Sequence, residues 1–231
     1  MTVAAELRMF LRPARRDGPV SVACDGVSSL VHVVESLGVP RTEVGSLVVN
    51  GSTEGPGYLA RGGDVVQVLA VPRPQHPGSA RFLLDVHLGA LARRLRLIGV
   101  DAAYANDADD DDLVSQANAQ RRVLLTQDRG LLCRRRLWAG AYVRGAHPDD
   151  QLADVLDRFV PPLAPWTRCT ACNGQLRPVA KTAVEPLLEP GTRRTYHEFA
   201  QCQVCGRVYW RGAHAARLQA IVDRARSGSR R

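Results

Sequence analysis

The chain has 231 residues, a hydrophobic fraction of 45% and a formal net charge of +8 at pH 7. This length allows one large domain or two to three small ones, and the composition is ordinary for a globular protein. No apolar run approaches the roughly 18 residues of a membrane span, and the first residues lack the apolar core of a signal peptide, so we expect a cytoplasmic protein.

The first 72 residues predict a small α+β unit. Apolar residues at helical spacing over "SSLVHVVESLGVP" indicate a helix that ends at Gly38 and Pro40. Alternating or continuous apolar runs on both sides of this helix indicate strands at 5–11, 19–25, 46–51 and 64–71. Two strands, a helix and two further strands is the order of a β-grasp fold.

This unit resembles the ubiquitin-like sulfur-carrier proteins in "LVVNG", in the "RGGDVV" turn and in its closing apolar strand. Sulfur carriers end in a free Gly-Gly that is activated as an acyl adenylate and thiocarboxylate. Here Gly62 and Gly63 precede the last strand, and the chain continues into a stiff, proline-containing linker over 73–79. The resemblance therefore implies a binding or packing module, with a protein as a candidate partner.

Strands and helices alternate regularly through residues 80–162. Strands are predicted at 81–85, 100–105, 122–128 and 141–145, and helices at 86–99, 111–120, 129–138 and 149–160. Gly99 stands where the C-cap of the first of these helices belongs. Repeats of this length predict an α/β fold with a parallel sheet between two layers of helices.

Carboxylates follow three of the predicted strands. Asp85 ends the first strand, Asp128 ends the third, and an aspartate cluster follows the second: Asp107, Asp109, Asp110, Asp111 and Asp112. Ligands of open parallel sheets bind beyond the carboxyl ends of the strands. Carboxylates gathered there would repel one another without a cation. Because Mg²⁺ and Mn²⁺ prefer carboxylate oxygens, the sequence predicts a site for a divalent cation.

The acids near this edge do not all have the same role. In the cluster we expect one residue to bind metal, one or two to cap the following helix, and the rest to be solvated. Asp109 and Asp110 are the best placed, about one helical turn before the first apolar residue of that helix. Asp149 and Asp150 are either further ligands or helix-capping acids. We expect His87 to pack near the site rather than to bind metal.

The middle of the chain resembles the PIN-like ribonuclease family named after the C-terminal domain of the mut-seven proteins. The matching stretches are "RFLLDVHLGALARRLRLIGVDAAY", "DDDDLVSQA" and "RVLLTQDRGLL", followed by paired cysteines, and they span about residues 80–212. Bacterial members often carry a ubiquitin-like domain in front, which agrees with residues 1–72. The resemblance implies a metal-dependent ribonuclease in which Asp85, Asp110 and Asp128 are the catalytic, metal-binding acids.

Two Cys-x-x-Cys pairs, "CTAC" and "CQVC", are separated by 29 residues: Cys169, Cys172, Cys202 and Cys205. Two such pairs can bind one tetrahedral Zn²⁺ as thiolates. Paired cysteines in a cytoplasmic chain also favour metal over disulfides. We therefore predict a ribbon with structural Zn²⁺ over residues 163–212, followed by a basic tail over 213–231.

The positive charge lies in the last third of the chain. Residues 161–231 hold eleven Arg, one Lys and four acids, whereas Arg and acids balance in 1–79 and in 80–160. A localised basic excess favours a phosphate-rich partner. Aromatic residues that suit single-stranded RNA lie among these arginines: Trp166, Tyr196, Tyr209 and Trp210. An equal alternative is that Trp210 only covers the small core of the ribbon.

Together these features predict a cytoplasmic, metal-dependent ribonuclease. A β-grasp module precedes its catalytic domain, and an RNA-binding zinc ribbon follows it. One alternative is a non-catalytic RNA- or ribosome-binding adaptor that keeps the fold without turnover. The other is a protein-interaction module that works through the β-grasp unit.

Overall fold

Three sheets organise the computed structural model, which describes residues 1–212 and 215–228. A four-stranded sheet forms the N-terminal unit, a second four-stranded sheet lies in the middle of the chain, and a three-stranded sheet forms the ribbon. These three sheets confirm the predicted fold class. None of the helices in the described ranges is long and apolar enough to cross a membrane.

The N-terminal unit, called the β-grasp module below, is a mixed sheet covered by one helix. Its strand order is β1-β4-β2-β3, in which β1 runs parallel to β4 and the other neighbours are antiparallel. Leu30 and Val34 of the helix are fully buried against Val68. The elements are β1 (Thr2–Val3), α1 (Leu30–Ser36), β2 (Val44–Val49), β3 (Ser52–Glu54) and β4 (Val66–Ala70).

Two strands predicted in the β-grasp module are wrong. Residues 5–11 form a 3-10 helix over Ala5–Phe10 instead. Leu7 and Phe10 are both buried three residues apart, which suits one face of a 3-10 helix and not the alternating faces of a strand. The strand predicted at 19–25 is reduced to Val20, which exchanges two backbone hydrogen bonds with Met1, at 2.7 and 3.0 Å.

The middle sheet has the order β6-β5-β7-β8, and all of its neighbouring strands are parallel. Helices α2, α5 and α8 lie on one face, and α3 and α4 lie on the other, so the predicted three layers are present. The strands are β5 (Arg81–Leu84), β6 (Asp101–Tyr104), β7 (Val123–Thr126) and β8 (Gly140–Tyr142). The helices are α2 (Gly89–Leu97), α3 (Asp110–Gln120), α4 (Arg129–Leu132), α5 (Pro148–Phe159) and α8 (Ala215–Gly228).

Both faces of the middle sheet are buried. Phe82 and Leu84 pack beneath α2 and α5, whereas Leu83 packs beneath α3 and α4. Every residue of β7 is buried. Burial on both faces is the usual state of a parallel sheet and explains why these strands read as continuous apolar runs. The helix predicted over 129–138 is shorter in the structure, where α4 ends at Leu132 after one turn.

The ribbon begins against the end of α2. Gly99 has φ of +85°, and a side chain there would collide with the carbonyl oxygen of Ala164, so its predicted role as a C-cap is confirmed. Ala164 and Trp166 donate backbone hydrogen bonds to the last carbonyls of this helix, at 2.9 and 3.1 Å. The ribbon strands are β9 (Leu176–Val179), β10 (Phe199–Cys202) and β11 (Val208–Tyr209), with α6 (Lys181–Val184) and α7 (Pro190–Thr195) between β9 and β10.

Asp101 attaches the ribbon to the amino edge, by which we mean the edge where strands β5 to β8 begin. Its carboxylate accepts hydrogen bonds from Arg122 of the middle domain and from Asn173 and Arg168 of the ribbon. Burial raises the pKa of Asp101, but these donors outweigh it and hold the pKa below its ordinary value. One partly buried carboxylate therefore joins the middle sheet to the ribbon.

The β-grasp module covers edge strand β8. Glu43 accepts the outward backbone N–H of Tyr142 at 2.8 Å, so the open edge of the sheet is satisfied by a side chain. Arg158 of α5 donates to both carboxylate oxygens of Glu43, at 2.9 and 2.8 Å, and each side chain is 3% exposed. The linker is also attached, since Arg73 pairs with Asp154 of α5 at 2.7 Å.

Helix α8 occupies most of the region predicted as a basic tail. The range 213–231 is described only over Ala215–Gly228, and the rest lies outside the described residues. Ile221, Val222 and Ala225 are buried in the core that α2 and α5 share. The described part of this region therefore belongs to the folded middle domain.

Replacing Asp101 by Asn should weaken the attachment of the ribbon in a pH-dependent way. The folded pKa of Asp101 lies below its unfolded value of about 3.9, so its stabilisation is present above about pH 4 and is lost as the pH falls through the folded pKa. We expect the difference in free energy of unfolding between wild type and Asp101→Asn to be largest near neutral pH and to shrink in acid. Urea unfolding at several pH values measures it, and a difference that does not change with pH would contradict this role.

Candidate functional site

Asp85 lies at the carboxyl edge, the edge where strands β5 to β8 end, and it is only 6% exposed. Its Oδ2 accepts a hydrogen bond from the Thr126 hydroxyl at 2.6 Å, and its Oδ1 accepts one from the Val86 backbone N–H at 2.6 Å. A buried carboxylate needs such donors, because an unpaired charge in the interior is costly. Asp85 is therefore a fixed group whose position depends on the neighbouring strand.

Asp128 is joined to Asp85 through Thr126. The Thr126 hydroxyl oxygen accepts the backbone N–H of Asp128 at 2.8 Å while it donates its own proton to Asp85. One oxygen of the Asp128 carboxylate caps α4 by accepting the Gly130 N–H at 2.7 Å. The other oxygen accepts no hydrogen bond from residues 1–212 or 215–228, and Asp128 is exposed. That oxygen remains open to a ligand.

The aspartate cluster after β6 contains a helix cap and solvated acids. Asp109 is the N-cap of α3, where its Oδ1 accepts the Asp112 N–H at 2.8 Å. Asp110 is half exposed and lies 3.7 Å from a guanidinium nitrogen of Arg134. Asp111 lies 3.6 Å from another nitrogen of the same guanidinium, and its side chain is 90% exposed. Arg134 therefore offsets part of the charge of this cluster.

The three predicted metal-binding acids are not equally close. Within the described ranges, Asp85, Asp110 and Asp128 do not form a group whose ligand atoms all lie within 4.8 Å of one another. Asp85 and Asp128 are joined through one hydroxyl, whereas Asp110 lies beside Arg134. The role of Asp110 as a metal ligand stays a prediction, and the candidate site is centred on the other two acids.

The remaining acids and the histidine near this edge have other surroundings. His87 is exposed, so the expectation that it packs near the site is wrong. Asp149 accepts a hydrogen bond from Arg94 at 2.6 Å and lies 3.3 Å from Arg224. These cations, Arg94 foremost, lower the pKa of Asp149. Asp149 thus joins helices α2, α5 and α8, and Asp150 is exposed in the first turn of α5.

The four predicted zinc ligands form a second site in the ribbon. The sulfur atoms of Cys169, Cys172, Cys202 and Cys205 all lie within 4.8 Å of one another. The Cys169–Cys205 and Cys172–Cys202 separations are 3.7 and 3.5 Å. Four thiolates about 2.3 Å from a common centre have similar separations, so this donor set fits a tetrahedral Zn²⁺.

Tyr209 supports this cluster, a role that its predicted place among RNA-facing aromatics did not suggest. Its hydroxyl lies 3.0 Å from the Cys169 sulfur. Burial raises the pKa of Cys169, but hydrogen bonds from Tyr209 and from the Cys172 N–H lower it to about 6. Because metal ligation requires the thiolate, this donor favours the metal-binding form at neutral pH.

The other ribbon aromatics pack mainly against one another and against the middle domain. Trp210 is 42% exposed and stacks at a tilt on Tyr196 and Phe199, with ring centroids 6.5 and 6.4 Å apart. Trp166 packs against the core of the middle domain, with the guanidinium of Arg211 over its ring at 5.5 Å. A groove of about 560 Å³ runs between these rings, the end of α2 and α8. Trp210 therefore covers the ribbon core, as the alternative interpretation held.

Comparison with known proteins gives two family matches. The family model described as the Mut7-C RNAse domain matches residues 80–222, and the model described as Mut7-C ubiquitin matches residues 1–76. Together these matches span the β-grasp module, the middle sheet, the ribbon and part of α8. No curated protein and no solved structure matches the chain.

The purified protein should contain about one Zn²⁺ per chain, because one four-thiolate site holds one ion. Cys169→Ser should release the ion and disorder the ribbon, since metal binding and folding are coupled at such sites. Cys24→Ser, at an exposed thiol outside the cluster, is the matched control and should keep the metal. Metal analysis with circular dichroism measures both effects. A zinc-free wild type with a folded ribbon would exclude the assignment.

Proposed function

We infer that this chain, which belongs to the Mut7-C RNAse domain family, is a metal-dependent ribonuclease that hydrolyses RNA phosphodiester bonds. The observation that carries this inference is the Thr126 hydroxyl at the carboxyl edge of the parallel sheet, which bonds the Asp85 carboxylate and the backbone N–H of Asp128. Two acids that follow separate strands are thereby fixed at one edge, and only one of them is buried. This edge is also where open parallel sheets bind their ligands.

The donor set suits Mg²⁺ or Mn²⁺. Mg²⁺ is commonly bound by one or two carboxylates together with retained waters and substrate phosphates, and not by a full cage of protein ligands. Asp128 offers an open oxygen, and each oxygen of Asp85 accepts only one protein hydrogen bond. Two carboxylates with unused lone pairs therefore fit this cation, and Asp110 would be an additional ligand.

When bound, such a cation lowers the pKa of a water and offsets the charge that builds up on the phosphate. The residues of the chain supply positioning. Asp85 is held by two donors and keeps a fixed orientation in the buried part of the site. Asp128 presents its open oxygen to solvent, where it would hold the cation and so orient the water bound to it. Thr126 fixes the Asp85 carboxylate relative to the backbone of Asp128.

A non-catalytic RNA- or ribosome-binding adaptor is the second candidate. It is favoured by the position of Asp110, which lies 3.7 Å from Arg134 and outside any three-acid group in the described ranges. An adaptor would bind RNA without turnover, so cleavage of labelled RNA distinguishes the two functions.

Asp85→Asn and Asp128→Asn each remove a formal charge while nearly keeping the shape of the side chain. We expect each to lower RNA cleavage by at least about 100-fold, the low end for one positioned catalytic group. Wild-type cleavage should be abolished by EDTA and restored by Mn²⁺ or Mg²⁺. The measurement is the cleavage rate of a labelled RNA, with folding checked by circular dichroism.

The control for these variants is Asp111→Asn, because that side chain is 90% exposed and belongs to the same edge. It should cleave at close to the wild-type rate. Full activity of both site variants, or wild-type activity that is indifferent to chelation, would exclude the metal mechanism.

A further inference from the structure

The first 3-10 helix of the β-grasp module lies along the carboxyl edge of the middle sheet. Arg129, the residue directly after Asp128, donates a hydrogen bond to the Phe10 carbonyl oxygen at 2.8 Å. Arg144, two residues past the end of β8, donates to the Glu6 carbonyl oxygen at 3.1 Å. Because both arginines follow their strands at the carboxyl edge, residues 5–10 must border the same edge as the candidate carboxylates.

Packing holds this border in place. The Arg129 guanidinium lies 5.6 Å from the centroid of the Phe10 ring, and that ring meets Tyr142 of β8 edge-on at 5.0 Å. The buried ion pair between Glu43 and Arg158 fixes the same two units a short distance away. The β-grasp module is therefore a packed wall of the site region and not a separately tethered domain.

The stretch formed by this helix and the residues directly after it, 8–16, is strongly basic. It carries four of the seven arginines found in residues 1–79, and all four are exposed: Arg8, Arg12, Arg15 and Arg16. Arg8 and Arg16 donate hydrogen bonds to nearby backbone carbonyls. Arg12 and Arg15 make no side-chain hydrogen bond or ion pair with the described part of the chain. Their charges are available to a partner.

These free arginines lie on the side of the β-grasp module that borders the candidate site. Arg12 is two residues from Phe10, whose carbonyl contacts the neighbour of Asp128, so the Cα atoms of Arg12 and Asp128 lie within roughly 25 Å of each other. The ribbon is attached at the amino edge instead, and four-residue strands at about 3.3 Å per residue separate the two edges by about 13 Å. The attachment point of the ribbon is thus on the far side of the sheet from the carboxylates.

We propose that Arg12 and Arg15 bind backbone phosphates of the RNA strand that enters the carboxylate site, so that the β-grasp module is part of the RNA-binding surface. The proposal rests on the proposed ribonuclease function. Guanidinium groups form charge-assisted hydrogen bonds with phosphate oxygens. An edge lined by acids repels phosphate before metal binds, and neighbouring unpaired arginines supply the attraction. Two unpaired cations three residues apart, on a segment that borders the edge with these acids, favour phosphate over a protein partner.

The test compares two double variants of the full chain that remove the same charge. Arg12→Gln with Arg15→Gln removes the proposed contacts. Arg177→Gln with Arg207→Gln removes two exposed ribbon arginines that likewise form no side-chain hydrogen bond or ion pair within the described ranges. Binding of a short, labelled single-stranded RNA is measured by fluorescence anisotropy across a salt series without added Mg²⁺ or Mn²⁺, so that the ribbon keeps its zinc. Circular dichroism checks the fold of each variant.

Each lost phosphate contact should flatten the dependence of log affinity on log salt by about 0.7 for a single strand. We expect the slope of the Arg12/Arg15 variant to be less steep than that of the wild type by about 1.4. If both proteins bind equally at 1 M salt, the variant then binds roughly 25-fold more weakly than the wild type at 0.1 M salt. The Arg177/Arg207 variant should keep the wild-type slope.

An unchanged slope in the Arg12/Arg15 variant would overturn the proposal, and a flattened slope in the Arg177/Arg207 variant alone would place the RNA on the ribbon. If the Arg12/Arg15 variant keeps its RNA affinity but no longer binds a protein that the wild type binds, the arginines belong to a protein-binding surface.

Cleavage of RNA with Mn²⁺ separates these results from the proposed function. A wild type that binds RNA with the predicted slopes but does not cleave it retains this surface and loses the ribonuclease assignment. A wild type that does not bind RNA overturns both.

Discussion

The hydroxyl of Thr126 is the contact on which the candidate site depends. It donates to Asp85 on one side and accepts the backbone N–H of Asp128 on the other, so it joins the ends of β5 and β7. A hydroxyl has one proton, and giving it to Asp85 leaves only lone pairs for the Asp128 N–H, which fixes the direction of both bonds. The result is one buried, doubly hydrogen-bonded carboxylate beside one exposed carboxylate with an open oxygen. This asymmetry lets one acid hold a fixed position while the other faces water.

The two accessory units are attached to different edges of the sheet that carries this site. The β-grasp module covers edge strand β8 and reaches the carboxyl edge through the contact between Phe10 and Arg129. The ribbon is attached at the amino edge by Asp101, and its four cysteines lie close enough for one zinc ion. The β-grasp module therefore borders the edge that carries the carboxylates, whereas the ribbon is attached at the opposite edge. Net charge alone would assign the contact with RNA to the last third of the chain, because residues 161–231 carry the basic excess.

The local pattern of the chain predicts most of the middle sheet, because apolar runs between regularly spaced helices leave few arrangements open. The same logic places Asp85 and Asp128 at one edge, since Asp85 directly follows β5 and Asp128 lies two residues past the end of β7. The contacts that decide the rest join residues far apart in the chain. Arg134 lies beside Asp110, and Arg129 contacts Phe10, a residue 119 positions away. No local pattern reports such pairs. The 3-10 helix near the N-terminus was missed for a related reason. Its conformation is set by the burial of Leu7 and Phe10 against the rest of the module, and not by the intrinsic preference of the segment.

The central claim is that Asp85 and Asp128 together hold a divalent cation. The most direct test is a crystal structure of the full chain soaked with Mn²⁺, with data collected to show anomalous scattering from manganese. The account predicts one anomalous peak at about 2.1 Å from a carboxylate oxygen of each of these two residues, whether or not Asp110 also contributes. Manganese bound only elsewhere on the surface, or no peak at the carboxyl edge at concentrations that support RNA cleavage, would contradict it.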